Sequence, residues 1–304
     1  MSLAVEPGEL VVLLGPSGCG KTTLLKMVNR LYEPTGGRIL LDGQPVGEMS
    51  TTALRRGIGY VIQQTGLFPH MRVADNIAVV PKLLGWKREQ ISQRIDELLE
   101  LVGLPPDEYR RRYPAQLSGG QQQRVGLARA LAANPTTLLM DEPFGALDAI
   151  TRSRLQQELR EIHGRLGQTV LFVTHDIEEA VRLADRIVIM RAGRVVQYDE
   201  PLRIVMQPAD EFVSELVGAG DVLRRLSLVP VSAAAEPLAG TLPDGPTIAE
   251  SSNLRSALTL LLEERAERLT VVDAAGQPTG TLDLRAIETA GIVPVPEATD
   301  AARW

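Results

Sequence analysis

Residues Glu9–Thr22 read ELVVLLGPSGCGKT, and this stretch decides the fold. Leu10–Leu14 form a short unbroken apolar run, the pattern of a strand buried on both faces of a parallel sheet. Beyond GPSGCGKT, Leu24, Leu25, Val28 and Leu31 fall at helical spacing. Strand, glycine-rich turn and helix, in that order, are the context in which GxxxxGKT binds phosphate. Glycines let consecutive backbone N–H groups turn inward as an anion nest, and the helix N-terminus adds partial positive charge. Gly15, Pro16, Ser17, Gly18, Cys19, Gly20, Lys21, Thr22 and Thr23 are therefore candidate nucleotide-binding residues. In such a loop Lys21 reaches the β- and γ-phosphates, and the Thr22 hydroxyl ligates Mg2+.

Four further strand candidates follow: GIGYVIQQ (57–64), TTLLMDEP (136–143), QTVLFVTHD (168–176) and DRIVIMRAG (185–193). Amphipathic helical patterns separate several of them, notably at Ile150–Leu166 and Ile177–Ala184. The alternation predicts an α/β fold with a mostly parallel sheet covered on both faces. From about residue 65 to 135 the pattern is helical instead. There REQISQRIDELLELVG sets Ile91, Ile95, Leu98, Leu99 and Val102 on one face.

Asp141 and Glu142 stand at the end of a buried strand, where two carboxylates are costly unless a cation compensates them. Asp141 is the candidate Mg2+ ligand, and Glu142 the general base that polarises an attacking water. His175 ends the next strand, where it could reach a γ-phosphate at the same sheet edge. Gln63 ends another and could contact that water or Mg2+.

A second phosphate-like stretch, QLSGGQQQR, occupies Gln116–Arg124. Ser118 and Gln121 have capping-box spacing, which an ordinary helix start explains. A cap does not call for Gly119 and Gly120, each costing about 1 kcal/mol in a helix. Two glycines there also fit a backbone that approaches an anion closely.

At 304 residues, the chain is long enough for one large and one small domain. Apolar residues at 44% and charged residues at 23% place it among globular chains rather than disordered ones. A net charge of −6 lacks the basic excess of a nucleic-acid binder. Cys19 is the single cysteine, which excludes an intrachain disulfide and fits a reducing compartment. No run of about 18 apolar residues occurs, and MSLAVEPGEL does not have the pattern of a signal peptide. The chain therefore reads as cytoplasmic, with any membrane role coming through a partner. Past Gly220, PVSAAAEPLAGTLPDGPT (230–247) reads as a loose connection. Beyond it, SSNLRSALTLLLEERAE reads as an amphipathic helix and LTVVDAAGQPTGTLDL as two short strands around a turn. Together they make a small C-terminal α+β unit.

The phosphate loop, Gln63, LSGGQ, LLMDEP, GALD and His175 occur in the order and spacing of the ATP-binding cassette (ABC) ATPases, and the chain resembles that family over about residues 1–220. The resemblance implies a P-loop ABC cassette with a helical subdomain, ATP and Mg2+ as ligands, and pairing of two cassettes head to tail. Each ATP would then lie between one phosphate loop and the other chain's signature, so Ser118, Gly119, Gly120 and Gln121 would contact the partner's γ-phosphate. Asp148 of GALD would sit at the seam, with His175 as the switch histidine and Gln63 as the lid glutamine sensing the membrane subunits. Ile58–Trp86 looks most like importers of quaternary-amine osmoprotectants such as glycine betaine, choline and carnitine. That likeness implies integral-membrane permease subunits, an extracytoplasmic solute-binding protein and a place at the cytoplasmic face of the membrane.

Residues 221–304 are read as a linker and one region, Ser251–Ile287, resembling a single cystathionine-β-synthase (CBS) motif. The family's cassettes open with further strands and an aromatic that stacks on adenine. MSLAVEPGEL offers no such aromatic: either the start is truncated or adenine is held less well, and in the second case ATP affinity is expected to fall about tenfold or more, from roughly 1–3 kcal/mol of lost stacking. Two other classes compete. A soluble ABC protein acting on DNA or ribosomes resembles tandem cassettes or carries long coiled-coil insertions, and a purely regulatory ligand-binding protein would rest on the C-terminal unit alone.

Overall fold

The structure is a computed structural model that describes residues 1–63, 66–145, 147–218, 221–238 and 245–291. Gln64 of the second strand candidate, Thr65 at the start of the helical region, Ala146 of GALD and Gly220 at the cassette boundary lie outside the described residues. The chain divides into two compact units, 1–198 and 199–304.

The first unit is a layered α/β unit. Its elements run β1 (Leu10–Leu14), α1 (Lys21–Val28), a hairpin of β2 (Leu40–Leu41) and β3 (Gln44–Pro45), α2 (Thr51–Gly57) and β4 (Ile58–Val61). Five helices follow without an intervening strand among the described residues: α3 (Val73–Ile77), α4 (Val79–Leu83), α5 (Arg88–Leu101), α6 (Pro106–Tyr109) and α7 (Gly119–Leu131). The chain then returns through β5 (Thr137–Asp141), α8 (Ala149–Leu166), β6 (Thr169–Val173), α9 (Ile177–Leu183), β7 (Arg186–Arg191) and β8 (Arg194–Asp199). The sheet order is β4-β5-β6-β1-β7-β8.

All five residues of β1 are buried, because the strand lies between β6 and β7 with helices over its faces. Its pairings with both are parallel, as are those of β5 with β4 and β6. Parallel neighbours carry the carboxyl ends of β1, β4, β5 and β6 to one edge, which is where open α/β sheets build ligand sites. In α5 the predicted face is the buried one, through Ile91, Ile95, Leu98 and Leu99. α7 ends at Leu131, short of Pro135. The polar-rich β8 carries no apolar run and escapes sequence reading. It forms because Ala192 and Gly193, at φ +48° and +76°, make the tight turn that returns the chain beside β7.

The second unit begins with α10 (Pro201–Met206), α11 (Glu211–Val217) and α12 (Val222–Leu228). It continues through β9 (Glu236–Pro237), β10 (Thr247–Ala249), α13 (Leu254–Glu263), β11 (Arg268–Val272), β12 (Pro278–Asp283) and α14 (Leu284–Gly291). Its sheet runs β10-β11-β12-β9. Leu254, Ala257 and Leu261 of α13, with Leu269, Val271 and Leu282 of the sheet, are buried. The segment 230–247, expected to be a loose connection, carries regular structure instead. Its described part holds a turn of 3-10 helix at Val231–Ala233, and β9, which pairs with β12 through Thr281 and Gly280. Alanine and proline mask a strand of this kind, and Pro237 is accommodated because β9 is an edge strand.

Candidate functional site

The phosphate loop leaves β1 at Gly15 and closes on α1. Gly18 and Gly20 take φ of +79° and +107°, a region that side chains rarely enter, and Gly20 is the N-cap residue of α1. Gly15 has no room for a side chain: an added Cβ would stand 2.3 Å from the Met190 carbonyl oxygen. The loop is therefore a backbone cradle, with Pro16, Ser17 and Gly18 exposed and Thr23 on the exposed side of α1. Cys19 is 4% exposed, and its Sγ accepts from Lys21 Nζ at 3.7 Å.

Lys21 is 6% exposed, and its ammonium curls into the loop, donating to the carbonyls of Gly15 at 2.6 Å and Pro16 at 3.1 Å. It thus lies where it can trade those carbonyls for phosphate oxygens. The Thr22 hydroxyl donates to Asp141 Oδ1 at 2.8 Å, joining α1 to the end of β5. Burial pushes the Asp141 carboxyl above its usual range, the Thr22 bond pulls it back, and the Glu142 charge adds to the rise. A hydroxyl and a desolvated carboxylate side by side form a hard-oxygen donor set. It fits Mg2+, which takes one or two protein oxygens and fills its shell with substrate phosphates and water.

Glu142 is the first residue past β5. Its φ of +45° is left-handed, a conformation costing roughly 1–3 kcal/mol for a side-chain-bearing residue. Its amide donates to the Val173 carbonyl at 3.0 Å, which holds the turn against β6. Its Oε2 receives Gln63 Nε2 at 3.1 Å and lies 3.3 Å from His175 Nδ1. The His175 side chain is 61% exposed, so the group opens to solvent there. The structure thus gathers Gln63, Asp141, Glu142, His175 and Thr22 at one sheet edge.

Ser118, Gly119, Gly120 and Gln121 stand apart from that cluster, with partners in the helical region, at Leu147 and in α8. Ser118 caps α7 by accepting from Gln121 N–H at 3.3 Å, and Gln121 Oε1 returns a bond from Ser118 N–H at 3.0 Å. Gln121 Nε2 also donates to the Tyr109 hydroxyl at 2.9 Å. The two glycines differ. A Cβ on Gly120 would meet Thr151 Cγ2 at 2.8 Å, so packing of α7 on α8 excludes a side chain there. A Cβ on Gly119 would come no closer than 3.7 Å to Leu147 Cδ2, so packing does not require that glycine. Asp148 caps α8 by accepting from Thr151 N–H at 3.0 Å, and this bond holds its carboxyl below the usual range. Sequence reading passed over Tyr109, Arg152 and Asp176, whose roles depend on contacts with distant segments.

Comparisons with known proteins bear on the family. The family model described as "ABC transporter" matches residues 1–145. The glycine betaine/carnitine/choline transport ATP-binding protein OpuCA of Bacillus subtilis is 48% identical over 288 residues, covering 95% of this chain and 74% of that protein. The sulfate/thiosulfate import ATP-binding protein CysA 2 of Chromobacterium violaceum is 50% identical over 219 residues, 71% of this chain and 58% of that one. Among solved structures, the dimeric post-hydrolysis state of the ATP-binding cassette MJ0796 with ADP and Pi superposes with a TM-score of 0.58. It is 36% identical and covers 66% of this chain and 88% of its own. No helix among the described residues is long and apolar enough to cross a membrane. With a strand-borne phosphate loop, an acid pair at the end of β5 and these relatives, the chain belongs to the ABC transporter family as an ATP-binding protein.

Proposed function

We propose that this chain is the ATP-hydrolysing subunit of an importer for quaternary-amine osmoprotectants such as glycine betaine, choline or carnitine. The observation that carries the substrate class is the extent of similarity. The relative named for sulfate matches 219 residues, 71% of this chain, whereas the one named for glycine betaine, carnitine and choline matches 288, 95% of it, and so takes in most of the second unit. In that unit β10, α13, β11, β12 and α14 follow one another over Ser251–Ile287 and its approach, which supports reading it as a single CBS-like region.

In this reading the backbone of Gly15–Thr22 cradles the ATP phosphates, and Lys21 gives up its loop carbonyls to reach them. Thr22 and Asp141, with Gln63 nearby, would hold Mg2+, which when bound neutralises phosphate charge. Glu142 orients a water and takes its proton as the water attacks the γ-phosphorus, while the bond from that phosphorus to the β–γ bridging oxygen breaks and ADP leaves. Gln63 and His175 fix the Glu142 carboxylate, and His175 is exposed enough to touch the γ-phosphate. Two such cassettes pair, and the signature of each completes the other's site. Ser118 can serve as both cap and phosphate ligand, because a hydroxyl accepts through its lone pairs while still donating its proton. The pair acts on membrane permease subunits at the cytoplasmic face, fed by an extracytoplasmic solute-binding protein.

The test is co-purification with a membrane permease, followed by ATP-driven uptake of labelled choline, carnitine and glycine betaine into reconstituted vesicles. Uptake of a quaternary amine, abolished by Lys21→Ala, is expected. Uptake confined to sulfate or to amino acids would overturn the substrate class while leaving the ATPase intact.

A further inference from the structure

Neither Arg152 nor Asp176 belongs to a nucleotide-binding motif, yet together they bridge two parts of the site. Arg152 lies in the first turn of α8, beyond its cap Asp148. Its Nη2 donates to the Leu147 carbonyl at 3.2 Å, and its Nη1 lies 3.4 Å from Asp176 Oδ2. Asp176 directly follows His175. Its other oxygen caps α9, accepting from Glu178 N–H at 2.9 Å and Glu179 N–H at 3.3 Å. The first turn of α8 and the loop before it face the signature, since Thr151 lies against Gly120 and Leu147 beside Gly119. Arg152 Nε is buried with no hydrogen bond. An unsatisfied buried donor lowers stability, so stability alone is a poor reason for this arginine.

We propose that Arg152 is a positioning residue, tying the strand end that carries His175 to the Leu147–Asp148 loop. The seating of that loop on a second cassette then sets how His175 meets Glu142, and the signature contacts of one ATP become linked to the hydrolytic group of the other. This rests on the two-cassette reading above. A guanidinium suits the task because its planar fork holds two acceptors at fixed spacing, which a lysine ammonium does not.

The test uses the full chain. Arg152→Met removes both bonds but keeps the aliphatic stem. It should lower kcat about tenfold while leaving the KM for ATP within about twofold. With three histidines in the chain, the imidazole proton spectrum can be assigned. The His175 signal should move, and those of His70 and His163 should stay. Asp176→Asn keeps the α9 cap, since asparagine caps as well as aspartate, but removes the charge facing Arg152. It should lower kcat in the same sense, and the double variant should be no worse than the more impaired single. Additive losses, or a fall in kcat with an unmoved His175 signal, would overturn the proposal. If Arg152→Met does not fold, Arg152→Lys and Asp176→Asn carry the same cycle. ATP-dependent dimerisation of Glu142→Gln, read by gel filtration, separates the two ideas. Its absence removes the two-cassette reading, whereas dimers with Arg152 variants as active as the parent remove only the role of Arg152.

Discussion

Gln63 and His175 converge on a single oxygen: Glu142 Oε2 accepts from Gln63 Nε2 at 3.1 Å and lies 3.3 Å from His175 Nδ1. Three strand ends supply these groups, so the carboxylate is held by the sheet rather than by its own loop. In the proposed role of general base, a carboxylate held from two sides is oriented before substrate arrives, which is where positioning lowers a barrier.

Glu142→Gln retains the shape of the side chain and its bond from Gln63 but removes the base. Hydrolysis should fall by about 10²–10⁴-fold, the usual worth of a general base. ATP binding should persist, with dimers accumulating. Unchanged turnover in a phosphate-release assay would remove Glu142 from the base role.

Glu179 is buried in α9, and its Oε1 accepts from Gln156 Nε2 at 3.0 Å. Burial pushes its carboxyl above the ordinary range, and hydrogen bonds from Thr174 and Gln156 only partly pull it back. A carboxyl raised in the folded state stabilises the fold fully below its unfolded value, about 4.3. That contribution is lost as pH rises through the higher folded value. Glu179→Gln keeps the acceptor and cannot ionise, so its Tm relative to the parent should improve from pH 4 towards neutrality. A Tm difference that is flat or slopes the other way counts against this account.

Gly120→Ala would press a methyl against Thr151 Cγ2 at 2.8 Å. Overpacking of this kind costs about 1–3 kcal/mol, visible as a lower Tm. Thr151→Ser removes the opposing methyl and should restore most of the loss in the double variant. Gly119→Ala meets only ordinary contact with Leu147, so it should leave Tm nearly unchanged while impairing hydrolysis. Equal Tm losses for the two alanine variants would show that the glycines are not distinguished by packing.

Cys19 lies in the phosphate loop but is buried in the core of the first unit. Thiol reagents should label the native chain slowly, at the same rate with and without Mg-ATP, and the denatured chain quickly. Strong protection by Mg-ATP would place the thiol on the nucleotide side instead.

Local chemistry made the phosphate loop legible. GPSGCGKT specifies its own turn through glycines that tolerate positive φ, and the apolar run before it specifies a buried strand. The sequence alone likewise determined the alternating α/β pattern, the helical insertion and the acids at the end of β5, because each depends on residues close along the chain. Only the tertiary structure decided that Gln63 reaches Glu142 across 79 positions, and that Thr22 bonds Asp141 across 119. It also separated Gly120, which α8 excludes from bearing a side chain, from Gly119, which packing leaves free. Strand β9 and the Arg152 bridge stayed hidden for the same reason. A hydrogen bond between distant segments has no periodicity of its own, and it exists only once the sheet has brought its strand ends together.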